Sequence, residues 1–219
     1  KVCIANHAES GLSANTFISG NRLKKIMSQI KKGDYLLVEF GHNDQKQKQP
    51  GTGAYFSFVY NLKIFIDEAH TKGANPVLVT PTCRRRFDKE GKSVNTHGEY
   101  PDAIRWVAQK ENVPLELNGM TTMLCDALGV DGSMKLYVHY PAGTFPGQTR
   151  EFKDNSHFST YGAYETAKCV VEGMKKAKLD IVNYLRADYK GFNPAQPDKF
   201  ETFKWNLCPF TEIEKPDGN

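Results

Sequence analysis

Three short polar blocks in this chain carry residue types that catalysts use. Asp154-Asn155-Ser156-His157-Phe158 sets an acid three residues before a histidine. On a turn or a first helical turn, that spacing brings a carboxylate to the imidazole of the same loop. The acid then fixes the tautomer and steadies the imidazolium, while the other ring nitrogen faces a nucleophile. The plainer reading is that Asp154, Asn155 or Ser156 caps a helix and His157 is incidental. Gly41-His42-Asn43-Asp44 ends a strongly apolar run. Asn43 could offer its side-chain amide to a developing oxyanion, an interaction of about 3 kcal/mol in the transition state. Equally, Asn43 or Asp44 could make an Asx-turn or a helix cap. The third block, Asn6-His7-Ala8-Glu9-Ser10-Gly11-Leu12-Ser13, is polar around a glycine that lets backbone approach a ligand and expose its N–H. Its plain alternative is a strand-to-helix turn.

These blocks need elements to hold them. Short apolar runs at 2–5, 35–40, 76–80 and 113–117 read as parallel strands, which are covered on both faces and therefore continuously apolar. Helical patterns lie between them. Arg22, Leu23, Ile26, Met27 and Ile30 form an amphipathic stretch stopped by Lys31-Lys32-Gly33. Residues 56–72 place Val59, Leu62, Phe65, Ile66 and Ala69 at helical spacing. Residues 101–111 open on proline and carry Ile104, Val107 and Ala108 on one face. Residues 120–128 and 161–178 complete the set. The alternation predicts an α/β fold of three layers, α/β/α, with a parallel sheet and helices on both faces. Ligand sites in such sheets gather beyond the carboxyl ends of the strands, where the glycine and Gly41 blocks fall. The connection 135–153, with Pro141, Gly143, Pro146 and Gly147, reads as a long loop that leads to the Asp154 block before the last helix. Residues 1–190 read as one domain. Residues 191–219 read as an extended strap packed on it by Phe192, Phe200, Phe203, Trp205 and Phe210.

Other chemistry finds little support. The 219 residues suffice for a sizeable core, and a net charge of +4 is spread along the chain. Arg84-Arg85-Arg86 and Lys175-Lys176 come with no nucleic-acid motif and read as solvated surface, so no nucleic-acid partner is expected. No apolar run is long enough to span a bilayer, so no membrane partner is expected either. The five cysteines Cys3, Cys83, Cys125, Cys169 and Cys208 are scattered without a CxxC and read mostly as small buried hydrophobes. His7, His70, His97 and His139 lack metal-ligand spacing, and there is no phosphate-binding glycine loop. Neither a metal nor a cofactor is therefore expected. His97 and His139 are candidates for a pocket rim or for plain structural histidines. No signal peptide is visible, and residues 1–5 read as the middle of a domain.

In combination and in this order, the blocks resemble the SGNH (GDSL-like) hydrolase superfamily. More closely, they resemble its rhamnogalacturonan acetylesterase-like branch. Asn6–Phe17 ("NHAESGLSANTF") is similar to that branch's "NxAxxGxS…F", and "KKGDYLLVEFGHND", "PVLVTPTCRRRFD" and "VHYPAGTFPGQ" are similar as well. The resemblance implies a flavodoxin-like parallel sheet of strand order 2-1-3-4-5. It implies that Gly11 supplies a backbone N–H and Asn43 a side-chain donor to an oxyanion hole. His157 would be the general base and acid, and Asp154 its orienting carboxylate. Leu12 departs from the branch, which often has arginine there. The family's first block, Gly-Asp-Ser, does not occur in the chain. Asp131-Gly132-Ser133 has the wrong order, Ser13 lies beyond the Gly11 turn, and Ser156 is held beside the histidine.

The expectation is thus a serine esterase that removes acetyl groups from a plant-type, pectic polysaccharide. Its first, central strand and its nucleophile are expected in a preceding segment or chain. Two alternatives stand beside it: a catalytically inactive carbohydrate-binding or scaffold domain, and a lipase or thioesterase of the same superfamily. Secreted or periplasmic localisation is implied by the resemblance alone.

Overall fold

A computed structural model describes residues 2–206. The described chain divides into two compact units, one built from the residues up to 81 together with 97–115, the other from 82–96 and the residues from 116 onward.

The first unit opens with helix α1 (Ala14–Ser19). Ser13 caps it: its hydroxyl accepts from Thr16 N at 3.2 Å, and Thr16 Oγ1 accepts from Ser13 N at 2.8 Å. Helix α2 (Arg22–Gln29) buries Leu23, Ile26 and Met27, the face its periodicity predicts. Strand β1 (Tyr35–Glu39) is followed by helix α3 (Val59–Thr71), strand β2 (Asn75–Val79), helix α4 (Tyr100–Glu111) and the short strand β3 (Pro114–Leu115). The three strands form one parallel sheet in the order β1-β2-β3, with Leu37 opposite Val77 and Val79 opposite Leu115. β2 is central, and Pro76, Val77, Leu78 and Val79 are all buried. That accounts for its unbroken apolar run. Phe17, Ile26, Val38, Phe58, Leu62, Phe65, Ile66, Leu78, Ile104 and Val107 form the core of the unit.

Residues 2–5, expected as a strand, are not one. Val2 is 51% and Ile4 88% exposed, and no neighbouring strand among the described residues offers them a ladder. Four apolar residues hold a β conformation only against a partner. β1 is therefore an edge of the sheet among the described residues, and Leu37 on it is 39% exposed.

The second unit holds helix α5 (Asn118–Gly132), strand β4 (Tyr137–Tyr140), strand β5 (Phe152–Phe158) and helix α6 (Thr160–Lys176). β4 and β5 pair antiparallel, with Tyr137 opposite Phe158 and His139 opposite Lys153. The expectation of one long loop over 135–153 and of a turn or helix start at Asp154 is thus corrected. Both ends of that connection are strands, and only 141–151 is loop. Five residue steps on β5, from Lys153 to Phe158, face two on β4, from Tyr137 to His139. The surplus is taken up as a bulge over Asp154–His157. Cys83, Leu124, Cys125, Leu136, Tyr137 and Tyr161 are buried together in this unit. α6 packs so closely that a Cβ on Gly162 would lie 1.8 Å from the Leu136 carbonyl oxygen. The described part of the tail also packs here. Tyr161 meets the Phe200 and Phe203 rings at 5.3 and 5.4 Å and donates its hydroxyl hydrogen to Asp198 O at 2.6 Å. Phe210 lies outside the described residues.

The architecture is a mixed α/β fold with a small parallel sheet and a separate small antiparallel one. Among the described residues, no helix is long and apolar enough to cross a membrane.

Candidate active site

In the first unit the glycine block and the Gly41 block meet. Gly11 stands at φ +85°, a left-handed conformation that glycine adopts without strain, and is exposed. The next carbonyl, Leu12 O, accepts from Asn43 Nδ2 at 3.2 Å, and Lys46 Nζ donates to Asn43 Oδ1 at 2.7 Å. These two bonds orient the Asn43 amide and leave it a second N–H. Asp44, only 3% exposed, pins the same junction: its carboxylate accepts from Ala14 N at 2.9 Å and Gly41 N at 3.0 Å. Burial raises the Asp44 carboxyl above its ordinary 3.8, with the backbone N–H groups of Ala14, Gly41 and Asp44 itself opposing it. Asp44 is thus a strut between two loops rather than a local cap, a role that sequence spacing did not disclose because Ala14 lies thirty residues away.

His42 and His97 also pair here. His97 Nε2 and His42 Nδ1 are 3.2 Å apart, the rings meet edge to face at 4.4 Å, and His97 is 1% exposed. Of the two readings for His97, burial in a histidine pair is the one observed. Ser13, weighed as a substitute nucleophile, is occupied. Its buried hydroxyl meets Thr16 Oγ1 at 3.0 Å and accepts from Gln47 Nε2 at 2.9 Å.

In the second unit, Asp154 and His157 come together inside the β5 bulge. Asp154 Oδ2 lies 2.6 Å from His157 Nδ1, while Oδ1 accepts from Ser156 N at 2.7 Å and His157 N at 2.9 Å. One carboxylate therefore closes the bulge and holds the ring. Bulges next to reactive sites commonly re-aim a side chain in this way, with the extra backbone donors satisfied locally. Partial burial works to raise the Asp154 carboxyl, but the His157 N–H, the His157 imidazole and the Ser156 N–H together outweigh it and hold it below its ordinary 3.8. The His157 side chain is 66% exposed. Its imidazole edge away from Asp154 is open to solvent. A cleft of about 600 Å³ beside it is lined by Val138, Glu151, Phe152, Lys153, Asp154, Asn155 and His157.

Arg85 was expected to be solvated surface with its neighbours; it is not. It is half-buried, and its guanidinium donates to Ser133 Oγ at 3.1 Å, Asn155 Oδ1 at 3.2 Å and Val130 O. Its backbone N–H donates to Asn155 O at 2.9 Å. His139 Nε2 meets the same Asn155 Oδ1 at 2.8 Å. Asn155, between Asp154 and His157, is therefore clamped from two sides. A run of three arginines gave no sign of this, because a sequence shows charge and not the loop it is folded against. Ser133, in the Asp-Gly-Ser look-alike, is fully buried at the end of α5 and donates to Val130 O at 3.2 Å. Among the described residues, no cluster of three His, Cys, Asp or Glu side chains could hold a metal ion.

No family model matches the chain. It is 43% identical over 185 residues to rhamnogalacturonan acetylesterase RhgT of Bacillus subtilis, a match spanning 84% of this chain and 79% of that protein. It is 32% identical over 184 residues to the probable rhamnogalacturonan acetylesterase YesY of the same organism, spanning 83% and 81%. Among solved structures, the crystal structure of Bacillus subtilis YxiM superposes with a TM-score of 0.64 at 26% identity. That match covers 78% of this chain but only 44% of the other.

Proposed function

The chain belongs to the esterase superfamily of the rhamnogalacturonan acetylesterases, and on that premise we propose that it is a serine acetylesterase acting on an acetylated pectic polysaccharide. The observation that carries the reading is the Asp154–His157 pair, 2.6 Å apart, with the other imidazole nitrogen left facing outward. Asp154 holds Nδ1 protonated, so Nε2 is the basic nitrogen. Nε2 takes the proton of a serine hydroxyl as its oxygen attacks the acetyl carbonyl. Gly11 N–H and the second Asn43 amide hydrogen receive the charge on the carbonyl oxygen, with the N–H of the serine as a third donor. The imidazolium then passes its proton to the departing sugar oxygen, which leaves as a hydroxyl. A water, deprotonated by the same Nε2, attacks the acyl group, and acetate leaves as the serine recovers its proton.

We place the nucleophilic serine in a segment preceding Lys1. Two observations support this. Ser13 is a buried helix cap, and Ser156 is part of the Asp154 bulge. The described sheet also runs sequentially, β1-β2-β3, as strands three to five of a 2-1-3-4-5 order would, which leaves β1 the edge for an earlier strand. The test is acetate release from acetylated rhamnogalacturonan by the full gene product, compared with His157→Ala. Loss of release in a variant that still folds supports the esterase. An intact, folded product that binds the polysaccharide but releases no acetate indicates the inactive binding domain instead.

A further inference from the structure

We propose that Cys83 and Cys125 form a disulfide that staples the 82–96 segment to α5. Their sulfurs lie 3.2 Å apart, and both residues are buried, at 5% and 1% exposure. The two positions are 42 residues apart in the chain, so their meeting is tertiary and not a turn. The backbone around them is fixed in register. Cys83 N donates to Thr121 Oγ1 at 3.0 Å, one helical turn before Cys125 on α5. Tyr137 Oη donates to Cys83 O at 2.8 Å and sits 3.4 Å from each sulfur. The two thiols therefore face each other in a closed, mostly apolar site, with Leu124, Leu136 and Tyr161 in the same cluster. Cys169 is also fully buried, and Cys3 is exposed.

The chemistry is thiol–disulfide exchange with a small-molecule disulfide such as oxidised glutathione. One cysteine, as thiolate, attacks that disulfide, forms a mixed disulfide and expels one glutathione thiolate. The second cysteine, as thiolate, attacks the protein sulfur of the mixed disulfide. The Sγ–Sγ bond forms and the second glutathione leaves. Two protein thiols are oxidised, and one glutathione disulfide is reduced to two thiols. Because both cysteines are buried in the folded unit, the exchange belongs to the folding chain. Once made, the bond is shielded from reductant. Its placement has a consequence for the candidate site. Cys83 is two residues before Arg85, whose side chain and backbone hold Asn155 within the Asp154–His157 bulge.

The test is to refold the full chain in a glutathione redox buffer, unfold it without reductant, alkylate it and weigh it. With the bridge present, three of the five cysteines take label, rising to five when reductant precedes labelling. Proteolysis of the unreduced chain then yields one linked species joining the Cys83 and Cys125 peptides. In wild type, reduction under denaturing conditions followed by refolding with reductant lowers the melting temperature by roughly 5–15 °C. Cys83→Ser/Cys125→Ser, in which hydroxyls still face Tyr137, melts at one temperature with or without reductant. Five labels without reductant, a linkage to Cys3, Cys169 or Cys208, or a wild-type melting temperature indifferent to reductant would each overturn the proposal.

Discussion

Single polar side chains in the candidate site each serve more than one partner. Asp154 serves two partners, its own bulge and the His157 ring, so removing its charge affects both. Asp154→Asn is expected to lower kcat by about 10²–10⁴-fold, because an amide no longer stabilises the imidazolium. Steady-state kinetics with p-nitrophenyl acetate would measure this. The same pair has a stability signature. A carboxyl whose pKa is lower folded than unfolded stabilises fully above the unfolded value, here about 3.8, and loses that contribution as pH falls through the folded value. Urea midpoints of wild type and Asp154→Asn should therefore converge as pH is taken from 5 to below 3.8; a gap that widens on acidification would contradict the depressed carboxyl. Asn43→Ala should cost about 10²–10³ in kcat with KM little changed, since an oxyanion donor acts on the transition state. Arg85 is a positioning residue in this scheme. Arg85→Met keeps much of the stem and removes the donors, and should lower kcat while leaving the exposed His157 imidazole in place. An unchanged kcat and pH profile would reduce the Asn155 clamp to a purely structural contact.

The elements explain which of these residues could be found in advance. β2 was legible because a central parallel strand needs an apolar residue at every position, and "PVLV" has one. α2 and α4 were legible because one face of each is buried and Pro101 and Lys31-Lys32-Gly33 punctuate them. Residues 2–5 look the same as β2 in sequence yet are exposed, since composition specifies willingness to pair and not the presence of a partner. β4 and β5 were hidden for the converse reason. They are short, mix aromatic with polar residues and flank a Pro/Gly loop, and it is the long-range pairing of Tyr137 with Phe158 that makes them strands. The His157–Asp154 contact itself was legible from a three-residue spacing, but its setting was not: it stands on a bulge and not on a helical turn. Two packing predictions belong to this scale. Gly162→Ala must push α6 off the Leu136 carbonyl and is expected to cost about 3 kcal/mol or more in urea unfolding. Asp44→Ala strands the buried Ala14 and Gly41 N–H groups and is expected to cost about 1–3 kcal/mol per lost partner. A midpoint within error of wild type in either case would contradict the packing described.

For the whole molecule, membership of the esterase superfamily and the mixed α/β architecture agree with what the blocks suggested together, although no one block carried it. The Gly11 and Asn43 blocks are joined by Asn43–Leu12 and Asp44–Ala14 contacts, and the Asp154–His157 pair is built by its own bulge. Each is complete as a local device, which is why short motifs could reveal it. The central claim is that His157 is the base of an acetylesterase. The most direct measurement is acetate released from acetylated rhamnogalacturonan by the full gene product, wild type against His157→Ala, at matched circular dichroism. Wild type is expected to release acetate, and the variant to release it at least about 10³-fold more slowly. Release by His157→Ala at the wild-type rate would contradict it.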